Sequence, residues 1–232
     1  MNSNRKTAII VGVLFIIALV LDIIGRGIYE PILNAPDFLV SAYPNKIQLI
    51  IGILLEFICA PAIVLIPIML FPILKKYNES IALGYVGFRF LEGILFIFMV
   101  IKSLSLISLS QEYLNSGAGD ASYFQTLGNS IQAENYWATL IYIIVFTLGA
   151  LMFYYLLSKS KLIPQFISVW GLVAAALLLT GALLGMLGLI PLLKVMIFFG
   201  PPIALNEITL AVWLIAKGFN SSAIPSKSVK QR

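Results

Sequence analysis

The stretch VGFRFLEG, residues 86–93, places Arg89 and Glu92 inside a run from Ile81 to Val100 that is otherwise almost wholly apolar. A run of that length is what one membrane-crossing helix requires, about 20 residues for the hydrocarbon core. The two charges stand three residues apart, so they share one face of a helix. A charge at the centre of such a helix costs roughly 2.5–3.5 kcal/mol on insertion scales. The stretch therefore reads as a transmembrane helix whose charged face turns away from lipid.

The rest of the chain agrees with a bilayer as its solvent. Of its 232 residues, 60% are hydrophobic and only 11% charged, and the mean hydropathy is +1.01. Soluble domains are about half apolar and about a quarter charged. There is no histidine, and the one cysteine, Cys59, lies in an apolar run. An internal disulfide and a Cys/His zinc site are both excluded. The net charge of +5 is split between short loops and the tail, which is a topology signal and not a nucleic-acid footprint.

Six spans are predicted, at about 7–28, 47–74, 81–108, 136–157, 164–187 and 191–216. The first is too long for a signal-peptide core, and Asp22 and Arg26 stand where a small-residue cleavage site would be. Basic residues cluster before span one (Arg5, Lys6), after span two (Lys75, Lys76), after span four (Lys159, Lys161) and after span six (Lys217, Lys227, Lys230, Arg232). With six spans all four groups fall on one side, so the positive-inside rule predicts cytoplasmic N- and C-termini. The expected fold is all-α: a polytopic transmembrane helix bundle forming one integral-membrane domain, 1–220. A polar, basic cytoplasmic tail follows at 221–232. The expected location is the cell membrane and the expected partner the lipid bilayer, with no nucleic acid.

Two segments are irregular. The outer stretch 111–135 is polar, is broken by Gly117 and Gly119, and offers Asp120 as N-cap of a helix from Ala121 into span four. Gly200, Pro201 and Pro202 interrupt span six. The prolines predict one kinked helix, with a short outer segment before a helix near Pro202 as the alternative. FPILKKYNESIALGYVG (71–87) and FYYLLSKSKLIPQFISVWG (153–171) echo one another. They read as two tight basic turns in preference to a hairpin duplication of the kind seen in transporters.

Depth along each helix follows from ~1.5 Å of rise per residue. Glu92 falls ~16 Å inside span three from the end nearest Ile81, and Glu56 ~14 Å from the other end of span two. Glu207, beside Asn206, is at mid-depth in span six, while Asp22, Arg26 and Lys102 lie in the outer halves of spans one and three. Arg26 is expected to snorkel to the outer interface. The simplest arrangement is one polar centre between spans one, two, three and six. Its candidate ligand-binding residues are Arg89, Glu92, Glu56, Glu207, Asn206, Asp22 and Lys102. One carboxylate is in excess there, to be neutralised by a proton or a cation. Tyrosines such as Tyr85, Tyr142, Tyr154 and Tyr155 read as interface anchors before pocket donors.

At these residues the chain resembles a known family. LKKYNESIALGYVGFRFLEGI (74–94), SQEYLNSGAGDASYFQTLG (110–128), PIALNEITLAVWLIAKGFN (202–220) and GVLFIIALVLDIIGRGIYEPILN (12–34) are similar to the DUF4386 membrane proteins of bacteria and archaea. The resemblance implies a prokaryotic multipass membrane protein of about this size. It implies no activity and carries over no catalytic residue or cofactor.

Several chemistries are excluded by residue type. Metalloprotease and histidine-assisted hydrolase sites need histidine. No Walker A or G-x-G-x-x-G opening a helix is present. What remains is binding or transport of a cation, proton or small polar or lipidic ligand in a central carboxylate-rich pocket. Two alternatives stay open. One is a non-catalytic membrane subunit or sensor whose buried charges only fix helix packing. The other is an intramembrane enzyme using paired carboxylates, although no spacing argues for it and catalytic residues are unassigned.

Overall fold

The computed structural model describes residues 3–116 and 121–223; Asp120 and most of the expected tail lie outside them. The fold is helical: α1 (Ser3–Leu33), a short α2 (Phe38–Ser41), α3 (Lys46–Leu74), α4 (Glu79–Ser116), α5 (Ala121–Ser160) and α6 (Gln165–Met186). A short α7 (Leu192–Lys194), a π-helical turn (Val195–Phe199) and α8 (Gly200–Ala216) complete it. Six helices are long and apolar enough to cross a membrane, counting Leu192–Ala216 as one.

Span six is thus one distorted helix and not a segment followed by a break. Pro201 and Pro202 supply no N–H to the turn before them. The chain answers with a widened π turn at Val195–Phe199, and the prolines enter the first turn of α8, where a missing donor costs least. Span four is longer than its apolar core. With no Gly or Pro from Ala121 to Tyr136 except Gly128, the helix that starts at Ala121 runs straight into the span. At 40 and 38 residues, α5 and α4 are ~60 Å long, about twice the hydrocarbon thickness. They project as arms at one end.

Neighbours follow chain order and close on themselves: α1 packs on α3, α3 on α4, α4 on α5, α5 on α6, α6 on α8, and α8 on α1. Arg5 makes the closure at the basic end. Its Nη1 donates to the Leu214 carbonyl (2.9 Å) and its Nη2 to those of Ile215 (2.6 Å) and Ala216 (3.2 Å). Those carbonyls end α8 without helical partners, and a cation is favoured there. Asn78 opens α4 as expected of a cap, its Oδ1 accepting from the Ile81 N–H at 3.0 Å.

The interior is layered. One apolar core fills the basic half around Phe15, Tyr85, Phe153, Tyr154 and Leu210. A second fills the opposite half around Tyr29, Phe38, Ile53 and Leu106. Only a small cluster of Cys59, Ala60, Ile63 and Phe96 lies between them. Arg89 and Glu92 sit in this middle layer, beside Phe96 and Cys59. On α4 the division is sharp: Arg89 and Glu92 are 3% and 1% exposed, whereas Phe90 and Leu91 beside them are 56% and 50% exposed, a lipid-facing surface.

Candidate functional site

Arg89 is the hub of the middle layer. Its Nη1 donates to both oxygens of Glu92 at 3.0 Å, one turn on along α4. Its Nη2 reaches Glu207 Oε1 on α8 at 3.5 Å, a long contact. The guanidinium lies 5.1 Å from the Phe146 ring and 5.7 Å from the Tyr85 ring. Aromatic faces so placed stabilise a desolvated cation.

A second network centres on Arg26 of α1. Its Nε donates to Asp22 Oδ1 at 2.8 Å and its Nη1 to Glu30 Oε1 at 3.1 Å, both one turn away on the same helix. Its Nη2 lies 3.2 Å from Glu56 Oε1 on α3. Glycines make that last contact possible. A Cβ on Gly25 would stand 2.7 Å from the Gly52 carbonyl oxygen, so α1 and α3 touch backbone to backbone beside Arg26 and Glu56. Arg26 thus has three carboxylate partners within reach, on its own helix and on α3.

Between the networks is a cavity of about 100 Å³, lined by Asp22, Arg89, Glu92, Tyr142 and Glu207 among apolar side chains that include Phe15, Cys59 and Phe96. Phe15, which lines the cavity, packs its ring 6.2 Å from Phe153, and Phe153 stacks on Tyr85 at 4.8 Å. Toward the end opposite the basic turns, beyond Arg26, opens a vestibule of about 580 Å³ between α1, α4, α5 and α7. Asp22 lines the cavity and Arg26 the vestibule, so their ion pair is the partition between the two.

Not all the expected residues meet. Arg89, Glu92, Glu207 and Asp22 line the cavity, while Glu56 is held behind Arg26. Asn206 turns away from the cavity: its Nδ2 donates to the Ile167 carbonyl at 2.8 Å and pins α8 to α6. Lys102 pairs with Glu134 of α5, away from the centre. The single polar centre is therefore two arginine networks and a separate surface pair. Glu30 escaped the sequence reading, although its i,i+4 spacing from Arg26 was there to be seen. Tyr142, which read as an interface anchor before a pocket donor, lines the cavity, and Phe146 had no signal beyond lying mid-span.

Several buried polar atoms have no hydrogen-bond partner among the described residues: both Glu56 oxygens, Arg89 Nε, and the Tyr85 and Tyr154 hydroxyls. Glu56 Oε1 is close to Arg26 but outside hydrogen-bonding alignment. Among the described residues no three Asp, Glu, Cys or His side chains are placed to hold one metal ion.

The family profile described as "Domain of unknown function (DUF4386)" matches residues 10–218, most of the chain. The chain belongs to the DUF4386 family. No curated protein and no solved structure shows significant similarity to it. The DUF4386 match spans all six long apolar helices, both arginine networks and the cavity between them.

Proposed function

We propose that this DUF4386 chain holds, in the cavity lined by carboxylates, a proton that a small monovalent cation displaces. We further propose that it exchanges this charge with the aqueous phase at the vestibule end. The observation that carries the reading is Glu207. It shares Arg89 with Glu92, which takes both 3.0 Å contacts, and keeps one contact at 3.5 Å. Two carboxylates around one guanidinium leave a negative charge uncompensated. An unpaired charge taken out of water costs several kcal/mol, so a proton or a cation neutralises it. The cavity is well below the ~300 Å³ of ordinary small-molecule pockets, which suits an ion or water. Under the positive-inside rule the basic end is cytoplasmic, and the vestibule opens outward.

A pH indicator in lightly buffered detergent solution tests this. Wild type should release a proton when sodium or potassium chloride is added, and Glu207→Gln should release none. Wild type that releases no more than Glu207→Gln sinks the reading. A packing-only role is the second reading, and the self-contained Arg89–Glu92 unit and the Asn206–Ile167 bond favour it. In that case Glu207→Gln weakens the fold and no proton moves.

A further inference from the structure

The vestibule shares no lining residue with the cavity, and its chemistry is different. At about 580 Å³ it falls in the size range of small-molecule sites, roughly 300–1,000 Å³. Its apolar flanks are Met99 and Leu106 on α4 and Leu193 and Met196 at α7 and the π turn, and its polar residues include Tyr29 and Glu30 on α1 and Asn135 and Tyr136 on α5. Arg26 is the one cationic side chain of the lining, and it is already engaged by Asp22, Glu30 and Glu56. Of those three carboxylates, Glu30 lines the vestibule.

Two acceptors of the lining have capacity to spare. Asn135 Oδ1 is buried with no donor among the described residues. Glu30 gives only Oε1 to Arg26, and its side chain is 42% exposed. A half-exposed carboxylate with a free oxygen, an undonated amide oxygen and two tyrosine rings suit a ligand that donates hydrogen bonds and carries positive charge. The apolar flanks call for an apolar body on them. An anion meets no free cation here, and a sugar-like solute leaves the apolar flanks unmatched.

We propose that the vestibule is a binding site for a small organic ammonium ion, a protonated amine on an apolar body. Its ammonium donates to Asn135 Oδ1 and the free oxygen of Glu30, and its apolar part lies against Met99 and Leu193. The site stands apart from the cavity, so either can fail without the other.

Benzylamine is the probe, titrated by calorimetry into detergent-purified protein at neutral pH, with benzyl alcohol and benzoate as its neutral and anionic counterparts. Saturable binding of benzylamine is expected, with no binding of benzoate and binding of the alcohol about tenfold or more weaker. Glu30→Gln and Asn135→Ala should each weaken benzylamine by a similar factor while the melting temperature holds. Glu79→Gln, at the other end of the bundle, should leave it unchanged and so controls for general charge attraction. The proposal is overturned if benzylamine does not bind saturably, if the alcohol binds as tightly, or if both vestibule variants bind like wild type. Proton release on salt addition reads the cavity separately, through Glu207.

Discussion

Arg89 sits 3% exposed among two carboxylates and two aromatic rings. Removing it leaves Glu92 and Glu207 without a counter-charge. Breaking one side of a buried pair costs ~3–5 kcal/mol, so Arg89→Met should be that much less stable in a mixed-micelle unfolding titration. The double variant Arg89→Met/Glu92→Gln should recover part of the loss. An Arg89→Met protein as stable as wild type would mean that the charge is not held where it is drawn. Glu207→Gln should melt at or above wild type, because a neutral amide removes the surplus charge and little else. A fall comparable to that of Arg89→Met would favour the packing role. The charges were legible in the sequence because each interrupts an apolar run, and their depths followed from the helical rise. Partners on one helix were legible too, as with Arg89 and Glu92, but partners on other helices were not. Whether Arg26 reaches Glu56 depends on the close crossing at Gly25 and Gly52, and nothing in the spacing of either helix encodes that crossing.

At the scale of elements, the spans were legible almost to the residue where apolar periodicity ends in a basic turn, as at Leu74 before Lys75. Two features needed the tertiary structure. The π turn at Val195–Phe199 accommodates prolines whose presence, but not whose remedy, could be read. The closure of α1 on α8 by Arg5 joins residues more than 200 positions apart. Arg5 read only as a topology charge, yet it satisfies the last carbonyls of α8. Arg5→Met should cost ~1.5–3 kcal/mol, the worth of hydrogen bonds to a charged group, in the same unfolding titration. Lys6→Met, a neighbouring charge with the same topological value, should cost little. Equal losses for the two would show that the cap contributes nothing beyond charge.

Across the whole molecule, two apolar cores flank a layer that holds the two arginine networks and the cavity. Composition announced the bilayer, and the basic turns announced which ends lie together. The proposed exchange at the vestibule end could not be read, because it rests on Arg26 standing between vestibule and cavity. Cys59, the only cysteine, lines the cavity at 1% exposure with its thiol donating to the Ala18 carbonyl. It should react slowly with an ammonium-bearing methanethiosulfonate in wild type and several-fold faster in Arg26→Ala, where the partition is gone. Equal rates would place the barrier elsewhere. The most direct test of an exchangeable charge in the cavity is infrared difference spectroscopy of the carboxyl groups at neutral pH without added cation. A proton on Glu207 predicts a protonated carboxylic acid band in wild type that sodium or potassium removes and that Glu207→Gln lacks. A wild-type spectrum without that band, unchanged by either cation and matching Glu207→Gln, would contradict it.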